Sequence, residues 1–505
     1  MASARDTMPF CDPSGICLTV VVLGASGDLA KKKTYPALYA LYHRGFLPPN
    51  LRVVGYARSA LTDEDLRSRL KGFLKGEEDS IDKFLASCSY VRGEYNGSEG
   101  YEKLQEILLQ REGEMMCPSQ IVGRLFYLAL PPSVYPQVCT GLRHNCTDLD
   151  NAADNPKNWI RIIVEKPFGK DLQSSEQLAD SLGALFPEDQ LYRIDHYLGK
   201  ELAQNMTVMR FANTFYNSWW HRDYISNVQI TFKENFGTQG RGGYFDQFGI
   251  IRDVIQNHLI QLLALVAMEK PVSLHPDDIR DEKTRVLRCI APATVEDTVL
   301  GQYVATGDEP GYLDDPTVPP GSKTPTFAAC TLYVRNDRWY GVPFVLKAGK
   351  ALNERKAEVR IQLKPTPASL YLSEGMRNEF VMRLQPGEAI YMKTVVKKPG
   401  LEMDTEMSEL DLSYTKRYSG VHIPEAYERL ILDAIRGDQQ HFVRRDELRA
   451  AWAIFTPLLH QIDEGALTPE PYDIGSRGPA SADALLARAG FEKGAKYTWN
   501  PSASM

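Results

Sequence analysis

The run Leu18-Thr19-Val20-Val21-Val22-Leu23-Gly24-Ala25-Ser26-Gly27-Asp28-Leu29-Ala30 decides how the rest of the chain is read. Its first six residues are apolar and largely β-branched. They stop at a pair of glycines, and helical spacing follows through Tyr35, Leu38, Leu41 and Tyr42. In a strand, glycine turn and helix of this kind, backbone N–H groups can approach a pyrophosphate at the helix N-terminus, where a Cβ would obstruct them. The glycine pattern alone also fits an ordinary tight turn; its flanks favour a dinucleotide, with Gly24, Ala25, Ser26, Gly27, Asp28 and Leu29 as candidate contacts. Lys31, Lys32 and Lys33 oppose the dipole of that helix and call for compensation by solvent or by an anion.

Working outward, Leu51 to Arg58 reads as a second strand that ends in arginine where an NAD site would usually carry a carboxylate. Arg58 favours NADP, because a guanidinium can grip the 2′-phosphate in a fork; an ordinary surface arginine at a strand end is the alternative. Asp63 to Gln110 reads as amphipathic helices. Leu125 to Leu130, closed by Pro131-Pro132, and Trp159 to Val164, followed by Glu165-Lys166-Pro167-Phe168-Gly169, read as further buried strands. Ligands of open parallel sheets sit at the carboxyl ends of strands, which puts Tyr127, Pro132 and Lys166 beside the cofactor.

After a helix predicted over Ser174–Leu185 comes Arg193-Ile194-Asp195-His196-Tyr197-Leu198-Gly199-Lys200-Glu201. His196, Tyr197 and Lys200 offer donors of different reach, suited to a phosphate monoester, while Asp195 can orient a base held elsewhere. A solvated strand-to-helix corner is the alternative for such a cluster. Beyond it the pattern changes: Val228–Glu234, Thr326–Arg335, Ala357–Lys364 and Glu379–Leu384 alternate like strands of a largely antiparallel sheet. A long helix begins at Gly249 and carries Asp253, Asn257 and His258 among apolar neighbours. Such a polar file demands partners, and a histidine with Asp195 on one ring nitrogen could accept a proton with the other. Gly349 to Lys356 adds a second basic cluster, whose repulsion falls if a phosphate lies among its cations. Ala426 to Gln461 reads as helix with core spacing and no catalytic signal. The fold class is an α/β Rossmann-type N-terminal domain over 1–190 plus a larger α+β domain with a mainly antiparallel sheet over 191–505.

Composition excludes several classes of partner. A formal charge of -7 disfavours nucleic acid and anionic membrane surfaces, and 43% hydrophobic residues over 505 positions suffice for more than one core. Val254 to Met268 is too short and too polar to span a bilayer. The eight cysteines form no CxxC pair and no cluster with histidine, so no metal site is expected; reduced thiols fit them, with Cys11–Cys17 or Cys139–Cys146 pairing as the redox alternative. About fifteen residues precede the first strand, which leaves little room for a cleaved targeting peptide.

From about Leu18 to Trp499 these segments resemble the glucose-6-phosphate dehydrogenase family. The likeness rests on Gly24 to Leu29, Glu165 to Gly169, Arg193 to Glu201, Gly249 to Asp253 with His258, and Gly349 to Lys356. It implies oxidation of glucose 6-phosphate at C1 with hydride transfer to NADP⁺, the entry step of the pentose phosphate pathway. It further implies His258 as base, oriented by Asp195. His196, Tyr197, Lys200, Lys350 and Arg355 match groups around the sugar phosphate, and Lys166, Glu234, Asp253 and Gln385 match groups at the sugar hydroxyls or beside them. A second, structural NADP site is implied by Lys356, Arg360, Arg383, Tyr391, Lys393, Asp411, Arg477 and Trp499. Two positions depart from the animal pattern: Lys347 stands for an arginine, losing the bidentate fork, and Lys493 for an aromatic residue. A homodimer or homotetramer in the cytosol, similar to plant or algal forms, completes the expectation. The competing classes are a non-catalytic NADP-responsive binding protein and a dehydrogenase of unphosphorylated sugars; the intact Asp195, His258, Lys200 and Lys350 speak against both.

Overall fold

The structure, a computed structural model, describes residues 16–115, 121–147, 157–368, 370–371 and 376–492. Cys11, Cys117, Lys493 and Trp499 lie outside the described residues. The chain divides into two compact units, Met1–Gly199 with Pro271–Asp281 and Pro424–Arg449, and Lys200–Lys270 with Glu282–Ile423 and Ala450–Met505. The boundary expected at 190/191 falls inside the first segment of the first unit. The N-terminal unit runs to Gly199, and later segments return to it.

In the first unit, β1 (Cys17–Leu23), β2 (Arg52–Ala57), β3 (Cys88–Arg92), β4 (Val122–Leu128), β5 (Trp159–Val164) and β6 (Leu191–Arg193) form one sheet, ordered β3-β2-β1-β4-β5-β6. Every pairing in it is parallel. β1 is buried along its whole length, which is why its sequence is a continuous apolar run and not an alternation. A parallel sheet must be covered by helices, and the helix Ala426–Arg436 supplies part of the cover through Leu430, Ile431 and Ile435, in one core with Val20, Val22 and Leu38. That packing explains why so late a segment belongs to the N-terminal unit. The chain order reverses between β1 and β4, which opens the ligand crevice at their carboxyl ends.

Asp63–Gln110 is not all helix: β3 lies within it, and at five residues without alternation it carried no strand period. The helix expected through Tyr35, Leu38, Leu41 and Tyr42 is present at Tyr35–His43, preceded by a wide turn over Ala30–Thr34.

The second unit is built on β7 (Ile225–Lys233), β8 (Thr298–Val304), β9 (Phe327–Tyr333), β10 (Pro343–Gly349), β11 (Lys356–Leu363), β12 (Glu379–Gln385), β13 (Ala389–Lys397), β14 (Thr405–Ser413) and β15 (Glu470–Asp473), in the order β14-β13-β12-β11-β7-β10-β9-β8-β15. The pairs β10·β7 and β15·β8 are parallel and the other pairings antiparallel. The sheet is thus mixed and, as expected, mainly antiparallel. The long helix that carries His258 is over-wide across Ile251–Leu259 and regular only from Ile260 to Ala267. Widened turns displace backbone hydrogen bonds, and here the Asn257 amide donates to the Arg252 carbonyl at 3.2 Å. Ala426 to Gln461 is two helices, broken at Gly437 in the left-handed conformation. Among the described residues, no helix is long and apolar enough to cross a membrane.

Candidate functional site

The glycine turn of the first unit is shaped to admit a ligand backbone. Gly24 has φ +82°, and a Cβ there would stand 2.4 Å from the Ala129 carbonyl oxygen, so the close approach of β1 to the end of β4 requires glycine. Ala25 is buried, whereas Ser26, Gly27, Asp28 and Leu29 keep some exposure. Ser26 Oγ and Ser59 Oγ are 3.0 Å apart, and the Arg58 guanidinium lies 5.2 Å from the centre of the Tyr95 ring. Hydroxyls from two turns beside an arginine held on an aromatic face suit a phosphate on a ribose. Ser59 and Tyr95 were missed by sequence reasoning; adjacency to Arg58 could have flagged the serine, but nothing local flags Tyr95. The donor set and the glycine cradle fit NADP.

Asp28 is occupied by the lysines that follow it. Its carboxylate meets Lys31 at 3.1 Å and Lys32 at 3.0 Å, and the hydrogen bond from Lys32 is the leading cause that holds it below the usual carboxylate range. Lys33 pairs with Glu425 at 3.1 Å. The cations at the start of the helix therefore have their compensation within the protein.

Tyr127, expected beside the cofactor, lies inside the sheet. It has no exposed surface, and its hydroxyl donates to Glu165 at 2.5 Å. Glu165 is itself buried, and burial raises its carboxyl to about 7 against the pull of Tyr127 and Lys166. Lys166, next in sequence, is half-buried.

Asp195 follows β6 and is buried, its Oδ1 accepting the Tyr197 backbone N–H at 2.9 Å. The turn closes through Leu198 N–H to the Asp195 carbonyl at 3.0 Å and Gly199 N–H to the His196 carbonyl at 3.3 Å. A Cβ on Gly199 would fall 2.6 Å from the Ala426 carbonyl oxygen, so this turn sits directly on the Ala426–Arg436 helix. There His196 stacks on Tyr427, ring centres 6.0 Å apart and planes within 10°, and meets Tyr197 edge-on at 5.0 Å. Asp195, His196 and Tyr197 are thus brought together with two groups the sequence reading missed, Glu165 and Tyr427. Glu165 stood in a quoted motif; Tyr427 stood in a segment read as plain core helix.

The second unit holds the remaining candidates. Lys200 donates to Gln385 Oε1 at 2.8 Å, and Lys350 meets Glu234 Oε2 at 2.5 Å with its ammonium 5.1 Å from the centre of the Phe245 ring. His258 is buried, Asp253 half-buried and Arg355 exposed. Farther along the sheet, Lys356 meets Glu354 at 3.1 Å and Glu358 at 3.3 Å, Arg360 meets Glu358 at 3.1 Å and also Glu379, and Lys393 meets Glu379 at 3.1 Å. Burial opposes ionisation of Glu358, yet Arg360 and Lys356 hold it at about 2. Arg383 is half-buried, Tyr391 is buried, Asp411 accepts from Ser413 Oγ at 2.9 Å, and Arg477 meets Asp483 at 3.2 Å. Lys347 is buried, and desolvation, joined by Lys233, Arg477 and Lys356, lowers it to about 7. Cys139 and Cys146 are free, buried thiols that burial pushes up to about 12.

The doubly wound parallel sheet, the glycine cradle and the buried carboxylates at the strand ends define a nucleotide-dependent oxidoreductase of the Rossmann class. Residues 21–205 match the family model of the glucose-6-phosphate dehydrogenase NAD binding domain, and residues 207–500 that of the glucose-6-phosphate dehydrogenase C-terminal domain. The cytoplasmic isoform of glucose-6-phosphate 1-dehydrogenase from Solanum tuberosum is 58% identical, covering 97% of this chain and 95% of its own. The glucose-6-phosphate 1-dehydrogenase of Takifugu rubripes is 53% identical over 95% and 90%. A solved glucose-6-phosphate dehydrogenase in complex with its substrate glucose-6-phosphate is 46% identical, with a TM-score of 0.89 over 97% of this chain and 99% of that one. The chain belongs to the glucose-6-phosphate dehydrogenase family.

Proposed function

We propose that His258 takes the C1 hydroxyl proton of glucose 6-phosphate while Asp195 holds its second ring nitrogen. The chain oxidises D-glucose 6-phosphate at C1 to 6-phospho-D-glucono-1,5-lactone, the entry step of the oxidative pentose phosphate pathway. NADP⁺, when bound, accepts the hydride from C1. Removal of the hydroxyl proton makes C1 a better hydride donor, and a positioned base is worth about 10²–10⁴-fold in rate. The observation that carries this reading is the buried carboxylate of Asp195, fixed by the Tyr197 N–H in a turn pressed against the 426–436 helix. A carboxylate held this way sets one ring tautomer and stabilises the imidazolium that forms.

The other roles follow from charge and reach. Lys200, Lys350, Arg355, His196 and Tyr197 hold the phosphate, and Lys166, Glu234, Asp253 and Gln385 hold the sugar hydroxyls or the groups beside them. Lys350 and Lys200 already lie against acceptors that would share them with substrate. Gly24 to Leu29 and Arg58 hold NADP. A second nucleotide sits among Lys356, Arg360, Arg383, Tyr391, Lys393, Asp411, Arg477 and Trp499, supported by the mutual repulsion of Lys233, Lys347 and Lys356, which an anion relieves. The enzyme works in the cytosol, as the names of its potato and Arabidopsis thaliana relatives suggest. It assembles as a homodimer or homotetramer; β14 is a sheet edge, and Leu410 on it and Leu401 beside it are exposed.

Mixing the protein with NADP⁺ and either glucose 6-phosphate or glucose, and following reduced cofactor, tests the reading. Turnover with the phosphorylated sugar and little with glucose is expected. Equal use of the two removes the phosphate roles, and folded protein that turns over neither ends the proposal.

A further inference from the structure

The carboxylate of Glu165 is the hub of a network that the assigned chemistry does not use. It follows β5 immediately, beside the residues that follow β6, because Val164 pairs with Arg193 and the Ile194 N–H donates to the Val164 carbonyl at 2.9 Å. Tyr127 from β4 donates to it at 2.5 Å, the Tyr427 hydroxyl hydrogen-bonds it, and the Lys166 N–H donates to it as well. Tyr135 anchors its main chain, donating to the Glu165 carbonyl at 2.9 Å. Tyr427 is the residue on which His196 stacks, and it stands next to Ala426, the contact point of the Asp195–Gly199 turn. One carboxylate thus clamps the platform under the turn to the ends of two strands of the parallel sheet.

We propose that Glu165 is a positioning residue: through the hydroxyls of Tyr127 and Tyr427 it fixes the surface on which Asp195 and His196 are set for catalysis. This rests on the reading of Asp195 as the carboxylate that orients the base. The clamp is complete when Glu165 is ionised, because a carboxylate can accept from both phenols and an N–H at once, while a neutral acid or an amide presents a donor of its own and one phenol must turn to accept. The charged and titratable groups facing it are Tyr127 from β4, Lys166 beside it, Asp195 after β6 and Tyr427 from the helix, with Glu425 acting on Tyr427 in turn. Burial and the charge of Asp195 disfavour ionisation, the hydrogen bonds and Lys166 favour it, and the balance near 7 puts the clamp in the working pH range.

Glu165→Gln and Tyr427→Phe test this in the full-length protein by kcat, KM and the pH profile of kcat/KM. In Glu165→Gln, kcat is expected to fall about tenfold or more while both KM values stay within about threefold, since the hydrogen bonds lost are to a charged group. The acidic limb should also move to lower pH by about half a unit, because one required ionisation is gone. In Tyr427→Phe the same limb should move to higher pH, because loss of a donor makes Glu165 harder to ionise. A role in packing alone cannot give opposite shifts. The proposal is overturned if both limbs superimpose on the parent, or if kcat falls without either limb moving. Should Glu165→Gln not fold, Tyr427→Phe decides alone: a limb at higher pH supports the clamp and an unmoved limb rejects it. His258→Asn, run beside them, separates the two readings, since it loses turnover if the base is right whatever Glu165 does.

Discussion

Glu165 in the first unit and Lys347 in the second are nearly inaccessible ionisable groups, and burial drives both toward neutrality from opposite sides, the carboxyl up to about 7 and the ammonium down to about 7. Their surroundings differ. Glu165 is supplied with donors from β4, from the helix at 426–436 and from its own neighbour, so its environment is complete within the protein. Lys347 is faced by Lys233, Arg477 and Lys356, with Asp483 as the opposing charge, so the environment around it improves when an anion arrives. A buried charge with internal partners serves geometry; a buried charge among like charges serves binding.

That contrast can be broken or sharpened by experiment. The largest effect is expected at the base: His258→Asn should lose about 10²–10⁴-fold in kcat with little change in thermal stability, as turnover and a melting curve would record. A comparable loss in Lys347→Met would break the comparison, because the cationic face would then be doing chemistry. Next, Lys200→Ala should raise the KM for glucose 6-phosphate by about ten- to a hundredfold and lower kcat less, the expected loss for a hydrogen bond to a charged group. Normal KM would take Lys200 out of the phosphate site. Arg58→Gln should weaken NADP⁺ by about tenfold and leave NAD⁺ nearly unchanged, read as the ratio of the two kcat/KM values.

The smallest effect is a slope. The unfolded chain keeps Lys347 protonated up to its ordinary 10.5, while the folded protein releases that proton near 7. Between those values the unfolded state binds more protons, so Lys347 adds stability as pH rises from about 7 and removes it as pH falls back. Urea midpoints against pH should therefore rise less steeply in Lys347→Met than in the parent, and NADP⁺ in excess should flatten the parent slope as well. A slope indifferent to both would mean that Lys347 is not the group responsible.

The parallel sheet was legible because its strands are buried on both faces and write themselves as continuous apolar runs; β1 could be read residue by residue. The short β3 could not, since five residues set in a charged stretch are stabilised by pairing with β2, which no local pattern records. Four strands of the mixed sheet were visible as alternations. β14, rich in charge and mostly half-buried along its length, shows as a strand only through its register with β13. The widening of the 251–259 helix was likewise invisible, because apolar spacing reports a face and not the hydrogen-bond step.

By itself the sequence determined the Rossmann half, the glycine turn and the preference for a phosphorylated dinucleotide, and it supplied the candidates for moving a proton or holding a phosphate. These follow from residue type and near spacing, which chain connectivity preserves. Tertiary structure alone decided that residues 424–449 belong with the parallel sheet, that Tyr127 faces inward to Glu165, that Tyr427 lies beneath His196 and that Lys347 is pressed among cations. Each of these depends on which distant segment packs against a given side chain, and burial and Coulomb energy are set by that neighbour, not by the next residue in the chain.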